Sequence, residues 1–258
     1  MVRVMLDLRS GVEENAERYF EAAKRARRKA KGAEQAIAAW RLKLGEPEAA
    51  ELPRAAPTRL RKREWYEKFR WCRSSDGILM VAGRDAATNE LLIKRHTQAG
   101  DIVFHTDMAG SPFVVVKAER RAVSPAAMEE AAQFCASYGR AWKNGLSSLE
   151  VFHVSPEQVT KEAQPGEFLP KGAFMIRGKT TYHKPLLKVA IGIDREGRAM
   201  GGPPAAIMAH CAAAYELLQG NEKASSVAKE LQRLLGGKLD ELLAALPPGG
   251  CRLGRRQK

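Results

Sequence analysis

Val12, Ala16, Tyr19, Ala23, Ala26, Ala30, Ala33, Ile37, Trp40 and Leu44 follow one another at alternating steps of four and three. A repeat of about 3.5 residues is that of a coiled-coil seam, so the pattern predicts one long helix. Ser10 with Glu13 reads as a capping box at its start, and Gly45 with Pro47 as its stop. At about 1.5 Å per residue such a rod reaches roughly 50 Å. Pro47, Pro53 and Pro57 forbid a return helix of equal length. A shorter one is expected from Thr58 to Arg70, which leaves part of the seam for a second copy of the chain. A homodimer through this helix is therefore a hypothesis of the sequence.

From Trp65 the texture changes. Asp76-Gly77 precedes an apolar run, Ile78 to Ala82, that reads as a strand ending at Gly83. Thr88 to His96 reads as a short helix, and Asp101 to His105 and Phe113 to Ala118 as strands joined by the Gly110-Ser111-Pro112 turn. Ser124 before Pro125 marks a helix start, with Met128, Ala132, Cys135 and Ala136 facing inward and Asn144-Gly145 as the stop. Leu149 to Val154, Ala173 to Arg177 and Leu186 to Ile193 read as further strands, the last two separated by a turn from Gly178 to Lys184. Helices are expected near 204–213, 223–235 and 238–246, followed by a basic tail. The fold class is α+β, a mixed β-sheet with flanking helices preceded by a long N-terminal coiled-coil helix. The expected division is a basic arm at 1–64 and an α+β domain at 65–258.

Charge sharpens this picture. The 258 residues carry a formal net charge of +13. Residues 1–75 hold 19 Lys and Arg against 11 Asp and Glu, so the excess is concentrated in the arm. Lys24, Arg25, Arg27, Arg28, Lys29 and Lys31 lie off the seam and ring its middle, and Arg59, Arg61, Lys62 and Arg63 form a second cluster. Two such clusters on adjoining segments suit a polyanion, with nucleic acid the leading candidate because neutralised phosphates release counterions. Solvated surface charge is the plainer reading of either cluster alone. Cys72, Cys135, Cys211 and Cys251 are widely spaced and read as buried free thiols. No apolar run approaches the roughly 18 residues of a membrane span, so a cytoplasmic protein without a membrane partner is expected.

No complete catalytic signature appears, and neither a cofactor nor a resident metal is expected. The densest polar constellation is His105-Thr106-Asp107 with Gly110-Ser111 at the end of a strand. Acid–base or metal chemistry there lacks a third partner. A structural turn pinned by His105, and a binding turn whose Gly110 and Ser111 meet a phosphate, are compatible and preferred. Gly83-Arg84-Asp85 with Asn89 forms a second polar turn, in which Arg84 could reach phosphate. Arg177, Gly178 and Lys179 lie near Tyr182 and His183, rings on which unpaired bases stack. Trp65, Tyr66, Phe69 and Trp71 read as a hydrophobic join between arm and domain.

These residues also resemble a known family. Trp65-Tyr66-Glu67-Lys68-Phe69-Arg70-Trp71, Ser74-Ser75-Asp76-Gly77, Gly83-Arg84-Asp85 and Asn89-Glu90 are similar to the opening of the NFACT-R domain. Gly100-Asp101, His105-Thr106-Asp107, Gly110-Ser111 and Val114-Val115-Val116-Lys117 are similar to its core. Leu169 through Lys179 resembles its second signature, and Val12-Glu13-Glu14-Asn15-Ala16 with Tyr19 resembles the coiled-coil section. The resemblance, of archaeal type, implies an RNA-binding protein that acts with tRNA, ribosomal RNA and the large ribosomal subunit. It further implies a place in the rescue of stalled nascent chains, where relatives support untemplated addition of residues such as alanine. The family's NFACT-N module and helix-hairpin-helix region have no counterpart in the sequence, so the resemblance does not extend to direct tRNA selection and tailing by this chain unless another protein supplies them. Ala109 stands where many archaeal-type members carry a second histidine, which weakens a metal reading.

The expected RNA contacts are Lys24, Arg27, Arg28, Lys29, Lys31, Arg61, Lys62 and Arg63 on the arm. In the domain they are Arg84, Asn89, His105, Asp107, Ser111, Lys117, Arg177 and Lys179. One alternative is a metal-dependent nucleic-acid-processing enzyme using Asp85, Asp101, His105 and Asp107. The other is a dimeric adaptor whose seam binds protein.

Overall fold

The computed structural model describes residues 5–8, 10–45, 63–119, 121–162, 169 and 172–257, without the side chains of 39–45. The chain divides into two compact units, Met1–Arg61 and Lys62–Lys258.

In the first unit the seam pattern becomes a single helix, α1 (Val12–Gly45), with Glu13 and Glu14 complementing the dipole at its start. Asn15 organises that start. Its Oδ1 accepts from the Asp7 amide at 2.8 Å, and its Nδ2 donates to the carbonyls of Asp7, Ser10 and Gly11 at 3.0, 3.1 and 3.0 Å. Tyr19 exchanges hydrogen bonds with the backbone of Met5. The seam residues Val12, Tyr19 and Ile37 are exposed, as is Phe20 beside them.

The second unit holds two main sheets over one continuous core. The first has six strands in the order β1-β2-β4-β3-β5-β8. These are β1 (Arg70–Arg73), β2 (Leu79–Ala82), β3 (Ile102–His105), β4 (Val114–Val116), β5 (Val151–Val154) and β8 (Thr181–His183). The second has the order β10-β9-β11-β12, with β9 (Val189–Asp194), β10 (Ala199–Gly202), β11 (Cys211–Glu222) and β12 (Cys251–Gln257). A short pair, β6 (Val159–Thr160) with β7 (Met175–Ile176), stands apart. The α+β class therefore holds, but the single mixed sheet does not: every strand pairing described is antiparallel. Short turns between β1 and β2, and across the 106–113 segment, allow antiparallel neighbours without crossover helices.

Helix α2 (Ala86–His96) begins at Asp85, whose carboxylate accepts from the Thr88 amide at 2.8 Å. Helix α3 (Pro125–Ser137) begins as expected: Ser124 Oγ accepts from the Ala127 amide at 3.1 Å, and proline occupies the first turn. Ala132, Cys135 and Ala136 face the core, with Met128 half-buried. The helix stops at Ser137 rather than Asn144, and a separate short α4 (Arg140–Lys143) ends at Asn144-Gly145.

Four further expectations change. Trp65–Lys68 is a single 3-10 turn and Arg70 opens a strand, so no return helix runs through Arg70; residues 58–62 lie outside the described residues. Tyr66, Phe69 and Trp71 are buried in this unit's own core. The Gly178–Lys184 segment contains β8, the edge strand paired with β5. In the tail α5 (Pro204–His210) ends where Cys211 begins β11, and the basic tail is β12. The alanines of 212–214 favour helix locally, but the pairing of Cys211 with β9 and of Ala214 with β9 and β12 overrides that preference. Helices α6 (Ala224–Leu235) and α7 (Leu239–Ala245) form near their expected positions. All four cysteines are buried free thiols, as expected.

Candidate nucleic-acid interface

Strand pairing sets β1 beside β2 with Arg70 opposite Ala82, and β2 beside β4 with Ala82 opposite Val114. The turns after β2 and before β4 therefore emerge together. They are tied: the Gly83 amide donates to Phe113 O at 3.1 Å, and the Phe113 amide donates to Asn89 Oδ1 at 3.1 Å. Gly83 is required by close approach, since an added Cβ would stand 1.9 Å from Asn89 Oδ1.

His105, at the end of β3, pins the second turn. Its Nδ1–H donates to Pro112 O at 2.9 Å, and its ring stacks on Phe113 with centroids 3.8 Å apart and planes 5° from parallel. Burial lowers its pKa below the ordinary histidine value, against the raising influence of the Pro112 carbonyl and Asp107. The imidazole is thus neutral at pH 7, with Nε2 left as an acceptor. Thr106 Oγ1 donates to Ser111 Oγ at 2.6 Å and accepts from the Met108 amide at 3.1 Å, which closes the loop. At Gly110, where φ is +88°, the missing Cβ lets Arg140 Nε come to within 3.1 Å of where that atom would stand.

Between these turns lies a cavity of about 370 Å³. Arg84, Asn89, His105 and Ser111, four of the expected contacts, line it together. Asp107 is exposed on the same loop outside the lining. Two lining residues escaped the sequence reading, Arg70 and Tyr138. Arg70 Nε is buried with no hydrogen-bond partner among the described residues, and its guanidinium carbon lies 5.5 Å from the Tyr138 ring centroid. Burial lowers the Arg70 pKa, and the nearby Arg84 cation lowers it further, while Tyr138 and Asp85 oppose the shift. Arg84 is itself lowered by burial and donates Nη2 to Phe69 O at 3.0 Å.

The other expected contacts lie elsewhere. Lys117 is buried in an ion pair with Asp101 and donates Nζ to His96 O at 2.9 Å, which makes it a core brace. Arg177 is exposed and sits 3.7 Å from Glu162, and the Lys179 carbonyl accepts from Gln158 Nε2 at 2.9 Å. His183 is engaged by His153 at 2.8 Å between Nε2 and Nδ1, while Tyr182 is exposed. Lys24, Arg27, Arg28, Lys29 and Lys31 are exposed on α1, and Arg63 is exposed in the second unit. Arg61 and Lys62 lie outside the described residues. Of the four groups of the enzyme alternative, Asp85 and His105 line the cavity, whereas Asp107 lies outside its lining and Asp101 is engaged elsewhere. Asp85 caps α2 and Asp101 holds Lys117, and no set of three His, Cys, Asp or Glu suited to a metal occurs among the described residues.

Residues 68–178, which hold both turns, match the family model described as NFACT protein RNA binding domain. This stretch is an NFACT RNA-binding domain. Longer proteins are similar to this chain. The archaeal Rqc2 homolog aRqcH of Methanocaldococcus jannaschii is 38% identical over 203 residues, covering 76% of this chain and 30% of that protein. The ribosome quality control complex subunit NEMF of Mus musculus is 34% identical over 178 residues, covering 66% of this chain and 16% of that one. The ribosome quality control complex subunit 2 of Schizosaccharomyces pombe is 31% identical over 197 residues, covering 73% and 19%. The chain thus spans under a third of these relatives' length. Arg70, Arg84, Asn89, His105, Ser111 and Tyr138 all fall inside the matched NFACT stretch.

Proposed function

We propose that this chain is an RNA-binding component of ribosome-associated quality control, acting in the cytoplasm with the large ribosomal subunit and tRNA, by binding rather than catalysis. The observation that carries the reading is the convergence of Arg70, Arg84, Asn89, His105 and Ser111 on one cavity inside an NFACT RNA-binding domain. That set is rich in hydrogen-bond donors, and among the described residues the lining carries two arginine cations and one carboxylate, Asp85. Such a site suits a phosphate or an unstacked nucleotide. His105 has one nitrogen committed to Pro112 and is neutral, which suits a positioning role. The relatives named for ribosome quality control supply the setting.

The exposed cations of α1 would add sequence-independent attraction to the phosphate backbone. The exposed Val12, Tyr19 and Ile37 leave its apolar seam open to a second copy of the chain. The test is co-sedimentation of the purified chain with ribosomal subunits, with and without tRNA, across a salt series. Retention on the large subunit that weakens steeply with salt supports the reading. A chain that stays in the supernatant even in dilute buffer contradicts it.

A further inference from the structure

The sequence offers no motif around Arg70, yet the fold gives that residue an unusual position. It opens β1, and its register opposite Ala82 places it next to the Gly83-Arg84 turn. Its Nε is buried without a partner among the described residues. A buried cationic donor without a partner is costly, and because Arg70 also lines the cavity an anion held there would offset the charge of its guanidinium. Arg84 brings a second cation to the same cavity. Asp85 cannot neutralise both, and it already accepts from Thr88 at the start of α2.

Neutral donors complete the set. Asn89 spends its oxygen on the Phe113 amide, which leaves its N–H groups for the cavity. Ser111 Oγ accepts from Thr106, so its own proton is free to point elsewhere. Tyr138 holds its ring under the Arg70 guanidinium because its hydroxyl is fixed, donating to Ala245 O at 2.8 Å. A cavity of about 370 Å³ holds a phosphate with its sugar and leaves no room for a duplex.

We propose that this cavity is a phosphate-ester site anchored by Arg70 and Arg84, and that it takes the phosphate of a single nucleotide. The ester rests on the RNA-binding reading only for its source. It can belong to an RNA strand or to a free mononucleotide, and the recognition chemistry is shared.

Isothermal titration of the full chain with adenosine 5′-monophosphate, adenosine and inorganic phosphate tests the chemistry. A labelled single-stranded RNA, with and without a 5′-phosphate, tests the source. Adenosine monophosphate should bind and adenosine should not. Arg70→Gln and Arg84→Gln should each weaken the monophosphate by about tenfold or more, the scale of a lost charge-assisted hydrogen bond. Arg70→Lys, which keeps charge without the fork, should recover only part of that loss. Arg84 is exposed, so Arg84→Gln carries the test if Arg70→Gln fails to fold by thermal unfolding. Equal binding of adenosine and its monophosphate, or unchanged binding in the folded variants, overturns the proposal. If RNA binding and monophosphate binding both survive intact in the variants, the pocket inference fails and the RNA-binding reading stands; if only monophosphate binding is lost, the pocket stands with a free mononucleotide as its source. If the monophosphate binds through Arg70 and Arg84 while RNA does not, the pocket stands and the RNA-binding reading fails.

Discussion

Replacing Gly83 with alanine tests how the interface is held. The new Cβ would lie 1.9 Å from Asn89 Oδ1, 2.7 Å from its Cγ and 2.9 Å from its backbone nitrogen. Gly83 is not one of the positive-φ glycines, so the obstacle is contact, not backbone conformation. Asn89 must move and give up its 3.1 Å bond from the Phe113 amide. Leaving that buried donor unpaired costs about 1–3 kcal/mol. Forcing an extra carbon into packed surroundings costs about 1–3 kcal/mol more. Gly83→Ala should therefore lower stability by about 2–6 kcal/mol in urea unfolding. Asn89→Ala alone should cost about 1–3 kcal/mol, since it removes the acceptor without the clash. In the double variant the two side-chain contacts vanish and only the 2.9 Å backbone approach remains. Its cost should fall short of the sum of the singles by about 1–2 kcal/mol, as expected for residues in contact. Additive costs, or a Gly83→Ala change below about 0.5 kcal/mol, typical of neutral surface sites, would refute the tie between the two turns.

Other changes probe separate parts of the molecule. Asp101→Asn leaves Lys117 as a buried cation without its carboxylate, and should destabilise the domain by about 3–5 kcal/mol in the same assay. A cost under about 1 kcal/mol would place that pair in the weak class of solvated salt bridges. Burial holds His96, His105 and His153 below the ordinary histidine pKa. As pH drops below about 6.5 the unfolded chain takes up protons that the folded chain refuses, so stability should fall, and it should be full above that value. Glu90, held down to about 2 chiefly by its hydrogen bond from Lys94, extends the loss to lower pH. A urea midpoint that rises on acidification from about pH 7.5 to 5.5 would contradict the assignment. Neutralising Arg27 and Arg28 should weaken RNA binding and flatten the log–log salt slope by about 1–2, while leaving the unfolding midpoint unchanged. An unchanged slope would remove the arm from the interface.

Periodicity and local punctuation made part of the fold legible. The long seam announced α1, and Ser124-Pro125 announced the start of α3. The apolar runs at 78–82 and 113–118 marked the central strands. What stayed hidden depends on partners distant in sequence. Cys211-Ala212-Ala213-Ala214 reads as helix until β9 pairs with Cys211 and Ala214, and β12, an arginine-bearing strand that itself reads as a tail, pairs with Ala214. Arg70 looked like one cation in an aromatic join, and only its register with β2 brings it to the cavity. Tyr138, just past α3, gave no local signal either. Arg84, Asn89, His105 and Ser111 were legible because each lies in or beside a compact polar turn, where glycine and hydrogen-bonding side chains cluster. Lys117 was misleading. A lysine after three valines resembles a surface contact, and nothing local reveals that Asp101 faces it across the neighbouring strand end.

Photocrosslinking the intact chain to tRNA and to large ribosomal subunits, with adducts mapped by peptide mass spectrometry, reads the interface residue by residue. Adducts should concentrate on the peptides carrying Arg70, Arg84 and the 105–113 turn, with a second set on the cations of α1. Adducts confined to other surfaces, such as β12, or none under conditions that crosslink a known RNA-binding protein, would contradict the placement of RNA on these two turns.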